Sequence, residues 1–169
     1  MPIKVVQGNL LDAPEDIIVH QVNCQGVMGG GVARQIKDKW PNVYDHYTRM
    51  VKTVEKLSIP REKLLGEVCW DMVQEKIRDE GQDKWIASIF GQLDYNRKGE
   101  RKIQTDYNAL KKGFIEVANN ASCYDQSVAM PYMIGCGRGG GDWSKVLEMI
   151  HEVFEPLETV DVVLYEYKR

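Results

Sequence analysis

The chain has 169 residues, of which 43% are hydrophobic and 28% are charged. This balance excludes an intrinsically disordered protein and predicts one globular domain over residues 1–169. The net charge of −3 argues against sequence-independent binding of nucleic acid, which needs a basic surface. Apolar runs are only a few residues long, whereas a membrane span needs about 20 residues. With no signal peptide at the N-terminus, we expect a cytoplasmic protein that does not contact membranes.

Cysteine and histidine spacing indicates neither a disulfide framework nor a metal site. No CxxC pair occurs, and no histidines are spaced as ligands beside the cysteines, which are Cys24, Cys69, Cys123 and Cys136. The sequence therefore predicts no bound metal and no cofactor. Cys24 and Cys136 lie near glycine-rich segments but have no basic neighbour that would activate a thiol, so we expect them to be packing residues.

Six short stretches rich in β-branched and aromatic residues predict strands. They cover residues 3–6, 16–22, 66–73, 84–90, 126–133 and 160–166. The second, fourth, fifth and sixth are nearly continuous apolar runs, which is typical of strands covered on both faces. Residues 79–82, between the third and fourth strands, indicate a short hairpin loop.

Apolar residues at helical spacing predict four amphipathic helices between these strands. The apolar series begin at Val32, Val43, Tyr107 and Val146. We expect Pro41 in the first turn of the second helix, Thr105 as the N-cap of the third, and Asp142 or Ser144 as the N-cap of the fourth. The alternation of strands and helices predicts a three-layer α/β fold, in which ligands bind at the carboxyl ends of the strands.

Two glycine-rich loops, residues 23–31 and 134–141, each follow a predicted strand and precede a predicted helix. Glycine lets the backbone approach a ligand closely, and backbone N–H groups beside a helix N-terminus attract phosphate. Either loop alone could be a tight strand-to-helix connection, but two equivalent loops favour a phosphate-rich ligand. Too few elements follow the G-x-G-x-x-G at residues 135–140 for a dinucleotide-binding fold, and no P-loop motif occurs.

In chain order, these motifs resemble the macrodomain family. The first strand ends in Gln7-Gly8-Asn9-Leu10-Leu11, and the next in Val22-Asn23-Cys24 before Gly29-Gly30-Gly31-Val32-Ala33. A late G-x-G loop runs from Ile134 to Trp143, and Tyr165 lies on the last strand. The glycine loops are most similar to the branch with the terminal ADP-ribose glycohydrolase and the antitoxins that remove ADP-ribose from DNA. His20 before Asn23 is also similar to the ADP-ribose 1''-phosphate phosphatases.

The resemblance implies a three-layer α/β/α sandwich with a six-stranded mixed sheet and an ADP-ribose cleft across its top. Asn9 and the Leu10 backbone would contact adenine, and Tyr165 would stack on it, although a core-packing role for Tyr165 stays open. The loop from Gly137 to Gly140 would hold the diphosphate, and Asn23 with Gly29, Gly30 and Gly31 would surround the distal ribose. The expected binding set also includes Val32, Ile134, Gly135, Cys136, Arg138 and Gly139.

Two residues depart from the family pattern. Asn9 stands where many macrodomains have aspartate, so its amide oxygen would accept from adenine without charge assistance. The lysine and aspartate of the terminal glycohydrolase fall near Gln92 and Gly139, so the catalytic pair of that enzyme is absent and its mechanism is not carried over.

Three residues are therefore the catalytic candidates, each with a structural alternative. His20 could be a general base or a nucleophile toward a 1''-phosphate, or a histidine that is simply hydrogen-bonded at a strand end. Asn23 could orient water or a ribose hydroxyl, or pin a turn. Asp142 could activate water, or cap the fourth helix.

The sequence predicts a monomeric protein that binds ADP-ribose and hydrolyses a derivative at the distal ribose. The substrate would be an ADP-ribosyl linkage on protein or nucleic acid, or ADP-ribose 1''-phosphate; bare nucleic acid is not an expected partner. A non-catalytic ADP-ribose reader is the alternative, favoured by the missing catalytic pair. The basic loop at residues 96–102 could contact a phosphate, a modified nucleic acid or only solvent.

Overall fold

A computed structural model describes residues 3–74 and 83–167. Six strands and four α-helices alternate along these ranges, and the predicted loop at residues 79–82 lies outside them. The strands are β1 (Ile3–Gln7), β2 (Ile17–Asn23), β3 (Val68–Gln74), β4 (Lys84–Gln92), β5 (Val128–Pro131) and β6 (Val162–Glu166). The helices are α1 (Gly31–Lys39), α2 (Pro41–Lys56), α3 (Tyr107–Tyr124) and α4 (Trp143–Phe154).

The strands form one mixed sheet in the order β1-β6-β5-β2-β4-β3. All neighbours are parallel except β3, which is antiparallel to β4. The four interior strands are the four for which the sequence has nearly continuous apolar runs. Their residues are buried on both faces, whereas both edge strands are partly exposed.

Helices cover both faces of the sheet, which confirms the three-layer α/β/α sandwich. Successive strand residues point to opposite faces, so Ile17 packs with α3 and α4, and Ile18 packs with α1 and α2. The predicted apolar positions Ile36, Leu110 and Ile150 are fully buried against these faces. In the two described ranges, no helix has the length and apolar character needed to cross a bilayer.

The helix starts follow the predicted capping chemistry with one correction. Pro41 opens α2, and Asp142 is the N-cap of α4, where its carboxylate accepts from the Ser144 N–H. The prediction of Thr105 as the N-cap of α3 is wrong, because Asp106 accepts from the Ala109 N–H in that role. The Thr105 hydroxyl instead donates to the Gly135 carbonyl oxygen at 2.6 Å.

Candidate functional site

The two glycine-rich loops lie side by side at the carboxyl ends of the strands. Strands β2 and β5 are parallel neighbours, so the loops that follow them leave the sheet together at its carboxyl end. Between the loops lies a cleft of about 970 Å³. Small-molecule sites in proteins have volumes of this order, and in open α/β sheets they lie at the carboxyl ends of the strands. The alternative that the two loops are only tight strand-to-helix connections therefore does not explain the cleft between them.

Most of the residues predicted to bind a ligand line this cleft. The first loop contributes Asn23, Gly29, Gly30, Gly31 and Val32. The second loop contributes Ile134, Gly135, Gly137, Arg138, Gly139 and Gly140. The predicted residues outside the lining are Asn9, Leu10, Cys136 and Tyr165.

The first loop is held by Tyr47, a fully buried residue of α2 that sequence reasoning did not single out. Its hydroxyl accepts from the N–H groups of Gly26 and Val27, and its one proton is shared between the side-chain oxygen of Asn23 at 2.8 Å and the carbonyl oxygen of Asn23 at 2.7 Å. The same Asn23 side-chain oxygen accepts from the Gln25 N–H. The loop conformation at the cleft therefore depends on a phenol that enters from the helix layer.

Asn23 keeps limited hydrogen-bonding capacity for a ligand. Its side-chain oxygen is used by Tyr47 and Gln25, and its amide nitrogen donates to the Val27 carbonyl oxygen at 2.8 Å. An amide has two N–H groups, and the second has no acceptor in the described part of the chain. Asn23 can thus donate to a hydroxyl in the cleft, but it is not equipped to accept a proton.

The second loop is folded onto Thr105 and its neighbour. The carbonyl oxygen of Gly139 accepts from the N–H groups of Gln104 and Thr105, at 2.8 and 3.1 Å. A Cβ atom at Gly139 would lie 2.4 Å from the Thr105 hydroxyl oxygen and 2.7 Å from the Gly135 carbonyl oxygen. Since neither neighbour is the end of a long flexible chain, this position has no room for the aspartate of the terminal glycohydrolase.

Arg138 connects the two loops across the cleft. A Cβ atom at Gly30 would lie 2.3 Å from the central guanidinium carbon of Arg138, so the guanidinium rests on the glycine backbone. Arg138 is exposed and forms no ion pair with any residue in the described ranges. The cleft therefore contains a positive charge, beside two loops rich in backbone N–H groups, that is available to an anion.

Two glutamines on neighbouring strands form the polar floor of the cleft, and the sequence analysis missed Gln21. The Gln21 amide nitrogen donates to the Gln92 side-chain oxygen at 2.7 Å and to the Thr105 hydroxyl oxygen at 2.9 Å. The Gln92 amide nitrogen donates to the Asp94 carbonyl oxygen. Gln92, which stands near the position of the family's catalytic lysine, is thus a buried and neutral part of this network.

The basic loop at residues 96–102 forms the outer wall of the cleft. The amide nitrogen of Asn96 donates to the carbonyl oxygens of Lys102 and Arg138, so the wall is joined to the second glycine loop. Lys102 also forms an ion pair with Glu100 at 3.2 Å. The cleft lining includes Tyr95, Arg97, Lys98 and Arg101 as well. The three alternatives for this loop stay predictions.

The expected adenine end lies one strand away from the lining. Tyr165 pairs in register with Pro131, a lining residue, and its hydroxyl donates to the Glu15 carboxylate. The Asn9 side chain accepts from the Leu11 N–H at 3.0 Å, and it thereby starts a short 3-10 turn that contains buried Leu10. The roles of these residues toward adenine stay predictions.

His20 lines the floor of the cleft, although only 1% of its surface is exposed. One ring nitrogen lies 2.6 Å from the Ser88 hydroxyl, and the other has no partner in the described part of the chain. Burial lowers the pKa of His20 to about 3, so the ring is neutral at physiological pH. This environment fits the hydrogen-bonded structural role better than that of a nucleophile, which must reach the substrate.

The surroundings of Asp142, Cys24 and Cys136 fit structural roles. Asp142 caps α4, is exposed, and is not part of the cleft lining; its hydrogen bonds to Ser144 lower its pKa. Burial raises the pKa of Cys24 to about 12 and of Cys136 to about 11. Both thiols are therefore protonated at neutral pH, as expected for packing residues.

No protein-family model matches the chain. Among curated proteins, the DNA ADP-ribosyl glycohydrolase of Thermus aquaticus is 29% identical over 164 residues, which cover 97% of this chain and 41% of that protein. The chain thus spans about two fifths of the length of that relative. The ADP-ribose 1''-phosphate phosphatase of Aspergillus oryzae is 46% identical over 46 residues, 27% of this chain and 23% of the phosphatase.

Solved structures give the same result over nearly the whole chain. The macrodomain of Thermus aquaticus DarG matches with a TM-score of 0.72 and 26% identity, over 99% of this chain and 98% of that one. Thermosipho africanus DarTG in complex with ADP-ribose has a TM-score of 0.73 and 22% identity, over 97% of this chain and 41% of that one. The resemblance to macrodomains inferred from the glycine loops is confirmed.

Proposed function

We propose that the chain binds ADP-ribose in the cleft and hydrolyses an ADP-ribosyl linkage at the distal ribose, because it is similar to macrodomains in fold and in motif order. The observation that carries the proposal is the Arg138 guanidinium resting on Gly30 between two glycine-rich loops. A diphosphate carries two adjacent negative charges, and this arrangement offers it backbone N–H groups and one cation. We expect residues 1–169 to act as one monomeric cytoplasmic domain.

The distal ribose would lie at the first loop. Asn23 has one amide N–H left for a ribose hydroxyl, and Gly29 and Gly30 let the sugar approach the backbone. The opposite end of the cleft, toward Pro131, leads to Tyr165, whose ring would stack on adenine. The ligand would thus lie across the carboxyl ends of β2, β5 and β6.

Hydrolysis requires water to attack the anomeric carbon of the ribose while the bond to the acceptor breaks. A general base takes one proton from the water, and the acceptor leaves with a proton. Glu100 is the one carboxylate among the described residues that line the cleft. The Arg97 N–H and the Lys102 ammonium hold its pKa below the ordinary value, which keeps it ionised at neutral pH but makes it a weaker base. We assign the role of general base to Glu100 on its position in the cleft.

The geometry favours cleavage of an ADP-ribosyl linkage over removal of a 1''-phosphate. A phosphatase reaction through histidine needs an exposed nucleophile, whereas His20 is buried and bonded to Ser88. The relatives with matches over nearly the whole chain are named as DNA ADP-ribosyl glycohydrolases. ADP-ribosylated DNA is therefore the first substrate to test, and the basic wall at residues 96–102 would face its phosphates.

A non-catalytic reader is the second candidate. Gln92 is neutral and hydrogen-bonded to Gln21 and the Asp94 backbone, and Gly139 has no space for a side chain. The positions of the family's lysine and aspartate therefore cannot supply its chemistry here. A reader would bind ADP-ribose equally well and release nothing.

Turnover distinguishes the two candidates. The chain would be incubated with ADP-ribosylated DNA, ADP-ribosylated protein and ADP-ribose 1''-phosphate, and the release of ADP-ribose or phosphate followed. The hydrolase proposal expects release from the DNA conjugate, a large loss of kcat in Glu100→Gln with unchanged affinity for ADP-ribose, and normal activity in Glu148→Gln outside the cleft. Binding without release from any substrate would establish the reader, and release by Glu100→Gln at the normal rate would remove Glu100 as the base.

A further inference from the structure

A cluster of three metal-ligating side chains lies outside the cleft, between α2 and the edge strand β3. The Nδ1 atom of His46 is 2.8 Å from an Asp71 carboxylate oxygen and 3.2 Å from the Cys69 sulfur. The sulfur lies 3.6 Å from the second Asp71 oxygen. All three ligand atoms fall within 4.8 Å of one another. The proposed ADP-ribose chemistry uses none of these residues.

Secondary structure places the three donors together. Cys69 and Asp71 are two residues apart on β3, so their side chains point to the same face of the sheet. That face carries α2, and His46 reaches it from the helix. Sequence spacing did not reveal the cluster, because 23 residues separate the histidine from the cysteine.

The distances are close to those of a tetrahedral site. Bonds of about 2.0–2.3 Å from zinc to nitrogen, oxygen and sulfur put neighbouring ligand atoms about 3.3–3.6 Å apart. The separations of the Cys69 sulfur from His46 and Asp71, 3.2 and 3.6 Å, are near this range already. The nitrogen-to-oxygen separation of 2.8 Å has to open by about half an ångström, and the sulfur-to-nitrogen separation of 3.2 Å by about 0.3 Å.

We propose that His46, Cys69 and Asp71 bind one zinc ion through three protein ligands, with the fourth position open to solvent. A thiolate with an imidazole and a carboxylate is a donor set that suits zinc better than the hard cations magnesium and calcium. The fourth position is accessible because the His46 side chain is 36% exposed, whereas the Asp71 side chain is 11% exposed and Cys69 is buried. Zinc would replace the thiol proton that Cys69 now shares with Asp71.

The site would tie α2 to the edge of the sheet. His46 directly precedes Tyr47, whose hydroxyl holds the first glycine loop. A metal bridge to β3 would therefore stabilise the helix on which that loop depends. The three ligands are not among the cleft-lining residues, and denaturant unfolding measures whether their variants are folded without relying on ADP-ribose binding.

Cobalt titration of the full chain, freed of metal with a chelator, tests the proposal. One equivalent of Co²⁺ should produce a thiolate-to-cobalt charge-transfer band and the intense visible bands of four-coordinate cobalt, and zinc should abolish both. Cys69→Ala should lack the charge-transfer band. His46→Gln and Asp71→Asn should weaken zinc binding by more than about 100-fold, because loss of even an outer-shell partner costs roughly 10- to 100-fold.

Matched variants identify where the metal binds. Cys123→Ser and His151→Gln alter an exposed cysteine and a histidine outside the cluster, and should leave the titration unchanged. Absence of a thiolate band in the wild type, or equal zinc affinity in folded Cys69→Ala, would overturn the proposal without bearing on ADP-ribose binding.

Discussion

The hydroxyl of Tyr47 lies 2.8 Å from the side-chain oxygen of Asn23 and joins the helix layer to the first glycine loop. The Tyr47 hydroxyl oxygen also accepts hydrogen bonds from the N–H groups of Gly26 and Val27, at 3.1 and 3.2 Å. One fully buried phenol thus satisfies several polar groups of this loop. The position of Asn23 in the cleft follows from it.

Tyr47→Phe tests this relationship. The variant keeps the ring but leaves two N–H groups and the Asn23 oxygen short of a partner, which should lower the free energy of unfolding by about 1–3 kcal/mol. We also expect weaker ADP-ribose binding, because Asn23 and the loop lose their position. Denaturant unfolding and calorimetry measure the two effects. Tyr44→Phe is the control, since within residues 3–74 and 83–167 that hydroxyl makes one long bond, 3.4 Å, to the Gly26 carbonyl oxygen; equal effects in both variants would contradict the role of Tyr47.

A single added methyl group should affect ligand binding at Gly137 and the stability of the fold at Gly139. A Cβ atom at Gly137 meets nothing within 4 Å, so Gly137→Ala should unfold within about 0.5 kcal/mol of the wild type. The methyl would nevertheless occupy the diphosphate position and weaken ADP-ribose binding by about 10-fold or more. Gly139→Ala should cost about 1–3 kcal/mol of stability, because its Cβ would lie 2.4 Å from the Thr105 hydroxyl oxygen. Unfolding and binding curves that fail to separate the two variants would refute this assignment.

The sequence predicts the parts of this arrangement that depend on neighbouring residues, and it misses the parts that depend on contacts between distant elements. Interior and edge strands are distinguished by their apolar runs, because burial on both faces acts on every residue of a strand. The glycine loops are recognisable because their conformation is encoded locally. Tyr47 and Gln21 were missed because their partners lie on other elements of the fold, and nothing in their neighbouring residues indicates those contacts.

Arg138 should contribute to ADP-ribose binding through its charge rather than to the stability of the fold. Arg138→Gln removes the cation beside Gly30 and should weaken ADP-ribose binding by roughly 10- to 100-fold, as expected for a charge-assisted contact. The loss should be smaller for adenosine, which has no diphosphate. Arg34→Gln, an exposed residue of α1 outside the cleft lining, is the matched control. Calorimetric affinities for both ligands give the answer, and an equal loss for adenosine would argue against contact with the diphosphate.

His20 should make the fold sensitive to acid. In the unfolded chain its pKa is the ordinary 6.5, and in the fold burial lowers it to about 3. Between these values only the unfolded state takes up the proton, so the free energy of unfolding rises with pH up to about 6.5 and then levels. Acidification from pH 7 to 5 should therefore cost about 2 kcal/mol through this residue.

His20→Gln removes that proton-binding group and should flatten the profile of stability against pH. Urea unfolding at pH 5 and 7 would show a smaller difference between the two pH values than in the wild type or in His151→Gln. Identical pH dependence in all three proteins would indicate that His20 is not buried as described. A nucleophilic role would instead require turnover to disappear in a folded His20→Gln protein.

Calorimetric titration of the wild type and of Gly137→Ala with ADP-ribose tests the central claim most directly. The account predicts saturable binding of one ADP-ribose per chain, and a loss of about 10-fold or more in a variant whose unfolding curve is unchanged. No binding by the wild type, or equal affinity in the two proteins, would contradict an ADP-ribose site between the glycine loops.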